Sequence, residues 1–211
     1  MRLYTKLLVG TLAATGLFAS LATGASARVI SLSNRNIRSV YAPLQFASES
    51  QTISCNLTME GTFHSSTISK VVGSLIGYIT RATVDTPNCI DNSGGTARAL
   101  IPQATLPWHI KYVAFIGTLP SVRIRDQLIN TAFRVLGLPF GLLCEYRASP
   151  FYIIEGPLSG SNINSGSTST RAEELQEFAS PSSFLCPNGR FIGRGPVTLL
   201  GTTTAITVRL I

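Results

Sequence analysis

The sequence predicts a mainly β protein: a single domain built as an antiparallel β-sandwich or barrel, with one or two short helices. Three observations predict it. Ile53, Cys55, Leu57 and Met59 alternate with Thr52, Ser54, Asn56 and Thr58, the period of two expected of a strand with one buried face. Near the other end Ile206, Val208 and Leu210 alternate with Thr207 and Arg209, behind a further apolar stretch from Phe191 to Leu200. Between these, short apolar runs are separated by Gly, Pro and Asn signals, which is the punctuation of a sandwich or barrel.

The chain opens on a different pattern. Arg2 and Lys6 precede an apolar run from Leu7 to about Leu21, and Ala25-Ser26-Ala27 follows as a small-x-small site. Together they predict a signal peptide over residues 1–27 and a secreted or otherwise extracytoplasmic mature domain over 28–211. Thr11, Thr15, Gly16 and Ser20 interrupt the run, and no basic stop-transfer flank follows it, so no transmembrane segment is expected after cleavage. The leader holds two of the 17 basic residues and none of the 10 acidic ones, which leaves the mature chain at a net charge of +5.

That charge is dispersed. The densest stretch is Arg123-Ile124-Arg125, and strand alternation places both arginines on the solvent side with Val122 and Ile124 opposite, so nucleic acid is not expected as a partner.

Cys55, Cys89, Cys144 and Cys186 are the disulfide candidates, an even set in an exported chain. Three pairings are possible, and the most local one, Cys55 with Cys89 and Cys144 with Cys186, needs the least chain reorganisation. A zinc site fails on spacing, because no two cysteines stand close together and His64 and His109 have no neighbouring histidine. No metal and no cofactor is expected.

After the first strand, Ile68, Val71, Val72, Leu75, Ile76 and Ile79 recur at helical spacing behind Ser65 or Ser66, which predicts one short helix over Ser66 to Arg81. Gly73 and Gly77 weaken that helix by ~1 kcal/mol each, and Leu75 to Val84 is β-branched enough to leave a strand open. Cys89 to Thr96 has the composition of a loop. Leu106-Pro107-Trp108 starts an apolar strand through Ile110, Tyr112 and Phe115, with Pro107 at its beginning and Trp108 in the core.

Gly117 to Pro120 and Gly137 to Gly141 read as turns, and Leu142 to Tyr146 with Phe151 to Glu155 as a broken strand. Residues 159–170 are nearly all Ser, Gly, Asn and Thr and predict a flexible surface loop. A short polar helix is expected around Arg171 to Phe178.

In its leader, in the strand around Cys55, in Glu60-Gly61-Thr62-Phe63-His64-Ser65, in Leu106-Pro107-Trp108-His109-Ile110-Lys111-Tyr112 and in Gly117-Thr118-Leu119-Pro120, the chain resembles a group of small exported bacterial proteins that share an LPWH(I/V)xY-type segment. The resemblance covers roughly residues 50–145 and 184–211. It implies export and a compact, mainly β body, and it carries no activity, ligand or catalytic residue.

Catalytic chemistry finds little to stand on. A serine hydrolase would have to draw on His64 or His109 and on Asp85, Asp91 or Asp126, yet no serine sits in a GxSxG elbow, and Ser161 and Ser167 lie in the predicted loop. Paired carboxylates would have to come from Glu60, Glu145, Glu155 or the Glu173, Glu174 and Glu177 group, and Trp108 alone makes no sugar platform. His109, opposite Trp108 on a regular strand, is the exposed candidate of most interest. The expectation is therefore a non-enzymatic binding or structural module of the cell envelope or the exterior. The alternative is a carrier of a small apolar ligand in a β-barrel cavity, to which the mean hydropathy of +0.29 and the 13% charged content are suited.

Overall fold

A computed structural model describes residues 29–48, 51–84, 89–116, 123–138, 142–148, 151–155, 164–168, 175–177, 186 and 189–210. Residues 1–28, where a leader was expected, Asp85, residues 117–120, where a turn was expected, residues 139–141, Ser161, Glu173 and Glu174 lie outside them. The chain is mainly β and antiparallel throughout. In order, the strands are β1 (Val29–Leu32), β2 (Asn36–Ser48), β3 (Thr52–Phe63), β4 (Thr67–Ser69), β5 (Leu75–Val84), β6 (Cys89–Asp91), β7 (Thr96–Leu100) and β8 (Trp108–Ile116). There follow β9 (Arg123–Ile129), β10 (Ala132–Leu138), β11 (Leu142–Ala148), β12 (Phe151–Glu155), β13 (Asn164–Thr168), β14 (Leu175–Glu177), β15 (Gly189–Leu199) and β16 (Val208–Leu210).

The long strand β3 organises the molecule, because it is shared between two partners on one edge. Its Leu57–Phe63 half pairs with β5, whereas Ile53 and Ser54 pair with β6. On one side of this fork the pairings run β3, β2, β15, β13, β12, β9, β8, β5 and return to β3. On the other side an arm of β6, β7, β10, β11 and β14 leaves the Cys55 end. Register shifts at Ala42–Pro43 in β2, between Gly193 and Val197 in β15 and after Tyr112 in β8 are the bulges that let the strands bend, so the layers of this sandwich share strands at their corners.

Alternation sets the core. In β9 Ile124 and Leu128 are buried while Arg123 is exposed, and full burial of such a side chain contributes about 1.5–3 kcal/mol. Trp108 is completely buried, as the sequence predicts, and its indole Nε1 donates to Thr105 Oγ1 at 3.0 Å. Thr105 belongs to a 3-10 turn, Gln103–Thr105, the only helical element among the described residues.

The expected helix over Ser66 to Arg81 does not form. Thr67–Ser69 pairs with β1, which buries Ile68 against Ile30, and Leu75–Val84 is a strand. The helical spacing was coincidental: Ile68 and Ile79 are buried in different sheets, and Val71, Val72 and Leu75 between them are exposed. The glycines explain why. Gly73 takes φ +86 in the turn, a region a β-carbon disfavours, and a side chain at Gly77 would meet the Thr62 carbonyl of the neighbouring strand.

Three further expectations are corrected. The loop over Cys89 to Thr96 shrinks to residues 92–95 between β6 and β7, where Ser93 N–H donates to Asp91 Oδ1 at 2.8 Å and Gly94 N–H to the Asp91 carbonyl at 3.0 Å. Within the predicted flexible stretch, Asn164–Thr168 is a strand hydrogen-bonded to β12 on one side and β15 on the other. Backbone pairing on both edges supplies the order that its side chains could not. Leu175–Glu177 is likewise a strand, paired with β11, where a polar helix was expected.

The cysteines pair as the most local of the three connectivities, Cys55 with Cys89 and Cys144 with Cys186. Both bridges hold the arm to the rest. The first sits at the fork of β3, and the second ties β11 to the chain just ahead of β15. Two disulfides are compatible with oxidising surroundings.

Candidate functional site

The strands of the arm divide cleanly between two faces. Ala97, Ala99, Phe133, Val135, Cys144 and Tyr146 point inward and are buried. Phe133 packs on Phe191 with ring centroids 4.5 Å apart, and Tyr146 on Phe46 at the same distance, so the arm is seated on β2 and β15 by aromatic contacts. An apolar gap of about 20 Å3 remains between them, lined by Leu44, Phe46, Ile53, Phe133, Val135 and Phe191. That is room for about one water molecule in a lining with no polar partner for it, far below the roughly 300 Å3 of a carried ligand.

The opposite parity of the same strands faces outward, and the register places its residues in rows. Leu100, Arg134 and Glu145 lie side by side in one row, and Arg98, Leu136 and Leu143 in the next. The leucines are 53%, 36% and 48% exposed, and Ile90 on β6 extends the apolar surface at 72%. Isolated exposed aliphatic residues are ordinary, whereas here a set of them shares one sheet face with arginines.

Glu145 holds two of the cations. Its Oε2 accepts from Arg134 Nε at 2.7 Å and its Oε1 from Arg147 Nε at 3.2 Å. Burial pushes the Glu145 carboxyl up, but the hydrogen bonds and charges of Arg134 and Arg147 outweigh it, and the group lies below its usual range. Asp91 is also lowered, chiefly by the Ser93 backbone N–H and further by the Gln51 amide and the Ser93 side chain.

A carboxylate whose folded value is depressed stabilises fully above its unfolded value and loses that contribution as pH falls through the folded one. Urea midpoints are therefore expected to hold from about pH 7 to pH 5 and to fall below about pH 4. E145Q should flatten part of that acid limb. An acid limb that is identical in E145Q would remove Glu145 from the account.

The chain matches no family model, no curated protein and no solved structure. The residues themselves therefore carry the functional reading.

The residues singled out for catalysis do not converge. His64 packs at a tilt against Tyr78 with centroids 5.4 Å apart, and Tyr78 stands opposite His109 in the β5–β8 register. His109 is half-buried, not fully exposed as expected, and its Nδ1 has no hydrogen-bond partner among the described residues. Asp126 is buried at 2% exposure opposite Tyr112, so it faces the interior, on the other side of the sheet from His109. No hydrogen bond among the described residues joins either imidazole to a serine or a carboxylate.

Ser167 sits on β13 opposite Ile153, and Asp91 is committed to its turn. Glu60 is flanked by Arg38 at 3.8 Å and Arg81 at 3.5 Å on the outer face of β3. Glu155 pairs with Ile124 and Glu177 with Tyr146 at the backbone. Arg123 is exposed and Arg125 half-buried, with Ile124 opposite, as alternation predicts.

Sequence reasoning did not single out the arm's outer face, although a signal was present. In Phe133-Arg134-Val135-Leu136 the leucine shares its parity with the arginine, not with the apolar pair, and Arg98 with Leu100 repeats the pattern.

Proposed function

We propose that the mature chain acts outside the cytoplasm, secreted or held at the cell envelope, as a non-enzymatic binding module whose contact surface is the outer face of β7, β10 and β11. The observation that carries this reading is the exposure of Leu100, Leu136 and Leu143 among Arg98, Arg134 and Arg147 on one face. The face is braced, since a disulfide binds the arm at each side and aromatic contacts seat it from beneath. A solvated sheet face has no need of three leucines. An enclosed ligand is not part of the reading, because the gap beneath the face is a small fraction of what one requires.

The test is co-sedimentation of the purified, oxidised mature protein with washed bacterial envelopes. The wild type is expected to sediment with them, and L136S/L143S to lose about tenfold in affinity while keeping its thermal midpoint, since both side chains are exposed. V72S, which removes an exposed aliphatic residue from a different element, should bind as the wild type does. Equal binding by all three proteins would displace the site from this face, and no binding by the wild type would sink the module reading.

A further inference from the structure

We infer that the partner of this face is an anionic lipid surface, an inference that rests on the binding-module reading and names what the module binds. The argument is one of charge and shape together. The rows hold Arg98 and Arg134, Arg147 stands on the same face two residues beyond Glu145 on β11, and Glu145 is the one carboxylate among the described outward positions of β7, β10 and β11. Glu145 engages Arg134 and Arg147, and Arg98 makes no ion pair with any described residue.

The excess of cations decides against a second copy of the chain. A symmetric pair would bring the same patch onto itself and set arginine against arginine, so the complementary surface must be negative. The leucines then decide which kind of negative surface. A polyanion such as nucleic acid is bound through phosphate contacts and stacking, yet no aromatic residue stands among the described outward positions of β7, β10 and β11.

A bilayer interface offers what this face can use in alternation. Anionic headgroups pair with guanidinium groups, and the acyl boundary below them takes aliphatic side chains. Each leucine has an arginine beside it in its row or the next, so the stems of the arginines can lie along the apolar surface while their heads reach the phosphates. The face would lie on the membrane without crossing it, and no described helix is long and apolar enough to span one.

Vesicle flotation of the oxidised mature protein tests the inference, with phosphatidylglycerol-containing vesicles against pure phosphatidylcholine and with the washed envelopes run alongside. Binding to the anionic vesicles alone is expected, weakening with added salt. R98Q should weaken it about fivefold, the worth of one arginine near such a surface, and L136S/L143S about tenfold. Binding to envelopes but to neither vesicle would overturn the lipid and leave the face reading in place, with an acidic protein or polysaccharide as the target. Equal binding to both vesicle types would also overturn it. Failure to bind vesicles and envelopes alike would remove both readings.

Discussion

Reduction of both disulfides is expected to bring the protein to the edge of unfolding at room temperature. The bridges close loops with sequence separations of 34 and 42 residues, and loop entropy assigns each about 4 kcal/mol. Their sum is comparable to the whole stability of an ordinary domain, about 5–15 kcal/mol. The two do not act alike, because they hold the arm at different places. Cys55 lies where β3 passes from β5 to β6, so the C55S/C89S pair should open β6 and β7 first, seen as faster amide exchange there than in β2. C144S/C186S should instead free β11 and with it the outward leucines and arginines. Urea midpoints with and without dithiothreitol measure the total, and coincident curves would contradict the expectation outright.

W108A is expected to cost about 3–5 kcal/mol, the range for deleting a buried indole, and to lower the thermal midpoint by about 10 °C. Trp108 is wholly buried, stands opposite Ile79 in the β5–β8 register and meets Phe133 of the arm with centroids 5.5 Å apart. It therefore joins the two sides of the fork through one side chain, and its removal leaves a cavity that neither side can collapse to fill. W108F separates the parts of the effect. It keeps most of the apolar area and loses the hydrogen bond to Thr105, and should cost about 1 kcal/mol from that bond plus the area lost. Thermal melts followed by circular dichroism read both variants. A W108A midpoint within a degree or two of the wild type would show the indole to be replaceable.

Period-two segments were legible around Cys55 and through Arg123–Ile129, where one face is buried and the other wet, but the alternating strands β2 and β10 went unread. The misreading of Ser66 to Arg81 has a specific cause. Strand–turn–strand segments that bury residues in two different sheets can imitate a helical stripe, and only the pairing of Ile68 with Ile30 separates the cases. Asn164–Thr168 failed in the opposite sense, because a strand held by backbone hydrogen bonds on both edges leaves no apolar periodicity to read. The candidate face was half visible. Parity groups Leu136 with Arg134 and Leu100 with Arg98, but their assembly into adjacent rows depends on which strands pair.

By itself the sequence determined the mainly β class, the burial of Trp108 and an even set of cysteines in a chain with an export-like start, since each follows from side-chain chemistry within a few neighbouring residues. Only the tertiary structure decided the fork of β3, the bridge partners and the gathering of leucines and arginines on one face. Those depend on contacts between residues tens of positions apart, and the free energy of such contacts is set by strand pairing and core packing, which no local pattern encodes.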